Sequence, residues 1–321
     1  GGVAPISYQW QYFNGSSWNN VTNGAPTGAI YTGATSTSLS VSGITSSGSY
    51  DYRVVITSPG VGCVSATSNA AVLTIEDPIS VTLNPVSNTT ICAQGSVTYT
   101  VSGTGGTPSL NYTWQYKNPS TGGWVLPTTN PPAGAIFSGQ GTTSFTISGI
   151  TASGTWEYRC LLSASGNGCS NVTSTTAFLT VVPDPTITSQ PQASSNICLN
   201  GSLTLSTIAA NGTPSLNYQW YSNTANSNIG GTPISGATSA SYSVPTGTAG
   251  TFYYYCVVTS PGVGCDPIST IVSVVNVVSV TSLITSTNVS CYGGTNGSIN
   301  LTVTGGSVSY THLTLPTIYS V

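Results

Sequence analysis

The chain has 321 residues, a length suited to two or three domains, and only 3% of them are charged, where a soluble protein typically carries about a quarter. A net charge of −3 with three scattered basic residues, Arg53, Lys117 and Arg159, excludes the clustered Lys and Arg that nucleic acid or an anionic membrane surface requires. No run of 18 apolar residues exists, so no membrane insertion is expected of this stretch. Hydrophobic residues nevertheless reach 38%, with 18 Tyr and 6 Trp, which is not a disordered composition and supplies several small cores. Thr, Val, Ile, Tyr and Trp suit a pleated, half-buried surface; Met is absent and Gly or Pro recurs every few residues, so the chain reads as all-β.

The first predicted strand is Tyr8-Gln-Trp10-Gln-Tyr12, followed by a Gly/Ser hairpin, Asn14-Gly-Ser-Ser-Trp18. Then come Leu39-Ser-Val41-Ser-Gly43-Ile44-Thr45, a long strand around Gly48-Ser-Tyr50-Asp-Tyr52-Arg-Val54, a turn ending at Cys63, and a closing strand over 71–75. Glu76-Asp77-Pro78 marks the boundary, giving a first unit at 1–76. It lacks the opening strands of the later units and starts Gly-Gly without Met, so it is expected to be truncated at its N-terminal side. The second unit, 77–182, repeats the series with Cys92, then Val97, Tyr99 and Val101 on one face, Tyr112, Trp114 and Tyr116, the hairpin Thr121-Gly-Gly-Trp124, Phe145 and Ile147, Tyr158, Cys160 and Leu162, and Cys169. After Pro183-Asp184-Pro185 the third unit, 183–279, repeats it with Cys198, Tyr218, Trp220, Tyr242, Tyr254, Cys256 and Cys265. Trp10, Trp114 and Trp220 recur at intervals of 104 and 106 residues, which is the size of one β-sandwich domain and not of a solenoid turn. Short linkers containing Pro predict a semi-rigid rod.

Trp on a central strand followed by Tyr-x-Cys on a later one resembles the immunoglobulin fold. The resemblance covers about residues 1–279 and implies tandem immunoglobulin-like antiparallel β-sandwiches. It makes Trp10, Trp114 and Trp220 core anchors and Tyr52, Tyr158 and Tyr254 tyrosine corners, whose hydroxyls tie down a loop, although Tyr52-Arg53-Val54 lacks the Cys. One departure is clear: Cys92 and Cys198 precede the second strand, in Ile-Cys-x-x-Gly-Ser-[Val/Leu]-Thr, instead of lying within it. That pattern, with Gly-Cys after the Tyr-x-Cys strand, is similar to bacterial Ig-like and PKD-like repeats in large surface proteins of gliding, Bacteroidota-type bacteria. The resemblance implies type IX export and an extracellular, cell-surface location. At 280–306, Cys291-Tyr-Gly-Gly-Thr-Asn-Gly-Ser298-Ile299, an alternating strand and Gly305-Gly306 resemble the start of a SprB-type gliding-adhesin repeat.

The segment Val308–Thr317 breaks the pattern and looks like one reading frame of a transposon-end sequencing adapter, so the natural sequence is expected to stop near Gly306, with 307–321 an artefact. His312, the only His, falls inside it, which leaves no base for a Ser-His-Asp or Cys-His site. Of the six acids, Asp51, Glu76, Asp77, Glu157, Asp184 and Asp266, Asp51 and Glu157 hold equivalent outward positions and Asp77 and Asp184 equivalent linker positions, a repetition that favours a structural role, so a paired-carboxylate site is not expected. Asp77 and Asp184 read as Asp-Pro turns before they read as calcium ligands, and the Cys lack the close pairing of a zinc site. No catalytic residue, metal or cofactor is expected. Eight Cys in a chain with few Lys point to an oxidising compartment. Because Val54 stands where a Cys would face Cys63, the Gly-Cys position needs another partner, and the Cys before the second strand is the natural one. That predicts Cys92–Cys169 and Cys198–Cys265, with Cys160 and Cys256 buried thiols and the partners of Cys63 and Cys291 outside this sequence; Cys160–Cys169 and Cys256–Cys265 are the rival pairing. Trp18 and Trp124 cap the sandwich or contact a glycan. The expected role is a structural, adhesive stalk meeting surface glycans or other surface proteins. The alternative is a carbohydrate-binding or accessory region of a secreted polysaccharide-degrading enzyme, and a filament subunit is a third reading.

Overall fold

The computed structural model describes residues 3–128, 132–166 and 168–305. The suspected tail, 307–321, and His312 lie outside the described residues. All regular structure among them is β-strand, arranged as successive antiparallel sandwiches.

The second unit shows the plan. Its larger sheet runs Trp124–Val125, Asn111–Lys117, Gly154–Ser163, Ala177–Val182 and Asn88–Cys92, with Val172–Thr173 also on Gly154–Ser163. The facing sheet is Ser96–Thr100, Ser144–Ser148 and Ile136–Ser138, and a short pair, Ser80–Leu83 with Ser102–Thr104, flanks it. All neighbours are antiparallel except Asn88–Cys92, which joins Ala177–Val182 in parallel. Period-2 alternation is visible directly: Trp156, Tyr158, Cys160 and Leu162 are buried while the residues between them are half-buried. The third unit repeats the large sheet with Thr232–Pro233, Asn217–Asn223, Gly250–Thr259, Ser273–Val278 and Ser194–Cys198. The first unit keeps Trp18–Asn20, Ser7–Phe13, Gly48–Thr57, Ala66–Thr67 and Ala71–Ile75, with Ile30–Thr32 and Ser40–Ser42 apart. A hairpin, Thr281–Thr287 with Ser298–Thr304, follows the third unit and is exposed throughout.

Trp114 sits opposite Cys160, Trp220 opposite Cys256 and Trp10 opposite Val54. Trp114 and Trp220 are fully buried and Trp10 is half-buried. Each indole N–H donates to a backbone carbonyl across the sandwich at 2.9 Å: Trp10 to Ser36, Trp114 to Thr142 and Trp220 to Ser239. The aromatic body fills the core while the polar edge finds an acceptor, so burial leaves no unpaired donor. Trp114 stacks on Phe145 at 5.1 Å and Trp220 on Tyr242 at 5.9 Å.

A second device recurs at the sheet edge. Strand Gly154–Ser163 pairs first with Ala177–Val182 and then with Val172–Thr173, and the change of partner would orphan the Cys160 amide. Ser174 closes the gap: its N–H donates to the Cys160 carbonyl at 2.8 Å, and its Oγ accepts the Cys160 N–H at 2.9 Å. Thr270 does the same for Cys256, and Ser68 for Val54. Ser174→Ala should cost about 1–3 kcal/mol, the penalty for a buried amide without an acceptor, while Ser174→Thr keeps the bond. Urea unfolding of the two variants checks this, and an unshifted midpoint for Ser174→Ala would refute it.

The outer faces use hydroxyls where other proteins use charges. Thr98 meets Thr146 at 2.8 Å, Thr155 meets Thr180 at 3.1 Å and Ser80 meets Thr104 at 3.0 Å. Among the described residues one ion pair is formed, Lys117 with Glu157 at 2.8 Å.

Candidate functional site: a stapled junction between sandwiches

The parallel strand Asn88–Cys92 sets Cys92 opposite Val182, the residue before the linker, so Cys92 lies at the pole where the second unit passes to the third. There the chain turns through Cys92-Ala-Gln-Gly95: the Gly95 N–H donates to the Cys92 carbonyl at 3.1 Å, and Gln94 takes φ +64°. The other half of the junction is the turn after Gly250–Thr259, where the Cys265 N–H donates to the Gly262 carbonyl at 3.2 Å and Gly264 takes φ +79°. Three bonds hold this turn beside the linker. The Gly212 N–H donates to the Pro183 carbonyl at 3.0 Å, the Thr213 N–H to Ser260 Oγ at 2.8 Å, and the Asp266 N–H to Asp184 Oδ1 at 3.3 Å.

The two turns meet. The Cys92 N–H donates to the Val263 carbonyl at 2.9 Å, and a disulfide joins Cys92 to Cys265 with 4.9 Å between their Cα atoms. Neither facing glycine has room for a side chain: a Cβ on Gly95 would lie 2.6 Å from the Val263 carbonyl oxygen, and one on Gly264 would overlap the Gly95 backbone. The bond links one sandwich to the next.

This corrects the pairing expected from the sequence. Cys169 and Cys198 are thiols here, and Cys92 and Cys265 are partners of each other. The reason is polar placement. In the second unit Gly154 pairs with Val181 at the Cys92 end, while Ser163, at the far end of the same strand, leads into the Cys169 turn. Ten residues of strand separate the two poles by roughly 30 Å, far beyond the ~7 Å that a disulfide tolerates between Cα atoms. The third unit keeps Cys198 and Cys265 at opposite poles in the same way. The rival pairing fails as well, because Cys160 and Cys256 point into the cores.

Both halves of the junction recur. Cys198-Leu-Asn-Gly201 and Cys291-Tyr-Gly-Gly294 form the same turn as Cys92–Gly95, with N–H to carbonyl distances of 2.8 and 2.9 Å and positive φ at Asn200 and Gly293. The turns ending at Cys63 and Cys169 copy that ending at Cys265, with positive φ at Gly62 and Gly168.

The remaining thiols divide by burial. Cys63, Cys198 and Cys291 are exposed, Cys169 is half-buried, and Cys160 and Cys256 are fully buried. Burial pushes the Cys160 and Cys256 thiols up to about 11, so neither offers thiolate near neutrality. Maleimide at pH 7 should label Cys63, Cys198 and Cys291 within minutes and leave Cys160 and Cys256 unlabelled until the chain is denatured. Peptide mass mapping reads the outcome, and early labelling of Cys160 would contradict it.

Trp18 and Trp124 lie against cations of their own sheet. The Arg53 guanidinium sits 4.3 Å from the Trp18 ring centroid and that of Arg159 sits 4.2 Å from Trp124; Gln11 and Gln115 orient the two guanidinium groups through 3.0 Å bonds. One face of each indole is therefore covered. In the third unit Tyr255 takes the Arg position and stacks on Tyr221 at 5.1 Å. Sequence reading treated the Arg residues as scattered; the signal that could have found the stack was their repeated offset from each Trp.

The tyrosine corners also differ from expectation. Tyr52, Tyr158 and Tyr254 are buried, but the Tyr52 hydroxyl meets that of Tyr31 at 3.1 Å, and the Tyr158 hydroxyl has no hydrogen-bond partner. A loop is tied instead by Tyr50, whose hydroxyl donates to the Ser46 carbonyl at 2.9 Å; Trp156 and Phe252 hold the equivalent positions and have no hydroxyl. Among the described residues no three His, Cys, Asp or Glu gather as metal ligands, and no helix is long and apolar enough to cross a membrane.

The fold defines a tandem immunoglobulin-like protein, and solved structures of that class align with it along most of its length. Three titin domains, I67–I69 of the I-band, are 14% identical, with 86% of this chain and 89% of that one covered and a TM-score of 0.43. The three N-terminal domains of the bacteriophage RB49 outer capsid protein Hoc are 13% identical over 86% and 91%, with a TM-score of 0.46. Extracellular domains 3–5 of Drosophila OTK are 14% identical over 85% of each chain, with a TM-score of 0.38. Residues 283–313 match the family model of the SprB repeat, and residues 187–282 match a domain family of unknown function, DUF8696. The SprB match runs beyond Gly306, the point at which the sequence was expected to leave the natural protein. No curated protein matches the chain. The chain thus joins immunoglobulin-like sandwiches to a segment that matches the SprB repeat.

Proposed function

We propose that this region is a spacer in a large secreted cell-surface adhesin, holding a contact site away from the cell and performing no catalysis. The observation that carries the reading is the junction: a covalent bond and a backbone hydrogen bond fix the second sandwich to the third, which suits a rod that must keep its reach. The units 1–76, 77–182 and 183–279 are successive segments of that rod, and 280–306 opens the SprB-type repeat. Contacts with surface glycans or other surface proteins belong to the parts the rod carries.

The test is replacement in the parent protein on living cells. Deleting 77–279 should lower attachment, and restoring the length with unrelated tandem sandwiches should recover it. Failure of unrelated sandwiches to restore attachment would overturn the spacer reading. The accessory carbohydrate-binding reading runs through Trp18 and Trp124, each of which already lies against an Arg. Glycan-array binding abolished by Trp124→Ala would favour that reading.

A further inference from the structure

We infer that the Cys92–Cys265 bond is a load shunt that carries tension past the bodies of two sandwiches. The inference rests on the spacer reading for its purpose but not for its geometry. A chain pulled from both ends transmits force along its shortest covalent path. Here that path runs along the chain to Cys92, crosses the disulfide to Cys265 and continues, leaving residues 93–264 as a closed loop outside the line of force. The loop contains Trp114 and its sheet partners, the linker at 183–185, and Trp220 with the strands Asn217–Asn223 and Gly250–Thr259. The loaded path keeps only the margins of the two sandwiches: Ser80–Leu83 and Asn88–Cys92 on one side, Ile268–Ser269 and Ser273–Val278 on the other.

Placement at the linker makes the shunt effective. A disulfide within one sandwich would shield part of that sandwich and leave the linker loaded. Joining the exit pole of one unit to the entry pole of the next takes the linker and most of both cores, Trp114 and Trp220 included, out of the path with one bond. The Val263 carbonyl and the tight approach of Gly95 to Gly264 hold the two turns together around it.

The experiment is single-molecule stretching of the whole chain, held at its termini, before and after a dithiol reductant is added. The bond hides 173 residue steps, about 600 Å of extended chain. The oxidised chain should therefore stop near 148 of its 321 residues' worth of length, and reduction should lengthen it about 2.2-fold. Cys92→Ala should reach full length without reductant whether or not its junction folds, because a final extended length does not depend on folding. An oxidised wild-type chain that reaches full length overturns the shunt. So does one that stops near 177 residues' worth, the length left by Cys92–Cys169 together with Cys198–Cys265. The two failures are distinguishable: either stretching result overturns the shunt and removes the bond that supports the spacer reading without testing attachment, while failed rescue on cells overturns the spacer reading and leaves the bond and its geometry standing.

Discussion

Gly264→Ala should prevent the junction from closing, whereas Gly168→Ala, at the matching place one unit earlier, should leave it closed. Both glycines have positive φ, +79° and +82°, so an added Cβ strains the two turns alike, by about 1–2 kcal/mol. They differ only in what faces them. The Cβ on Gly264 would enter the Gly95 backbone, while nothing lies within 4 Å of the one on Gly168. Backbone against backbone has no side chain that can swing away, and the Cα atoms of Cys92 and Cys265 must stay within about 7 Å to be bridged. In non-reducing peptide maps the Cys92–Cys265 product should fall several-fold in Gly264→Ala and persist in Gly168→Ala. Equal yields in the two variants would show that the glycine approach does not govern the junction.

Trp114→Ala should remove about 3–5 kcal/mol from the second unit, a large share of the ~5–15 kcal/mol that a domain of this size has. Three losses combine: the burial of the indole, the stack on Phe145, and the bond to the Thr142 carbonyl. Collapse cannot refill the space, because Phe145 is already packed against Phe137 and Tyr158. Trp10→Ala should cost less, since Trp10 is only half-buried and its sandwich is smaller. Hydrogen exchange resolved by unit measures both; equal losses at Trp10 and Trp114 would contradict the burial argument.

The architecture was legible in the sequence because its signals are local and repeated. Alternation along 154–163 specifies a strand with Tyr158, Cys160 and Leu162 on one face, and the Trp recurrence gives the domain size without any knowledge of pairing. The junction was not legible for a topological reason. Asn88–Cys92 reads as a lead-in to the second strand, near the start of its own unit. Only parallel addition to the last strand carries Cys92 to the far pole, and nothing in five residues of sequence announces a parallel partner about 90 positions away. The glycines of Cys-x-x-Gly and Gly-Cys stand plainly in the sequence, but their reason lies in the facing turn of another unit. Likewise, alternation placed Tyr158 inward but could not say whether its hydroxyl would meet a partner, which depends on a few ångströms of loop path.

The paired hydroxyls on the outer faces bear on where such a rod can work. A charged lattice of cross-strand contacts weakens as ions screen it, since the screening length falls from about 30 Å in dilute water to about 3 Å near 1 M salt. Thr98 with Thr146, and Thr155 with Thr180, have no net charge to be screened and no group that titrates across ordinary pH. A spacer of the kind proposed, working outside the cell, would have no control over its bathing medium. One stitched with Thr and Ser should keep its stiffness from fresh water to brine.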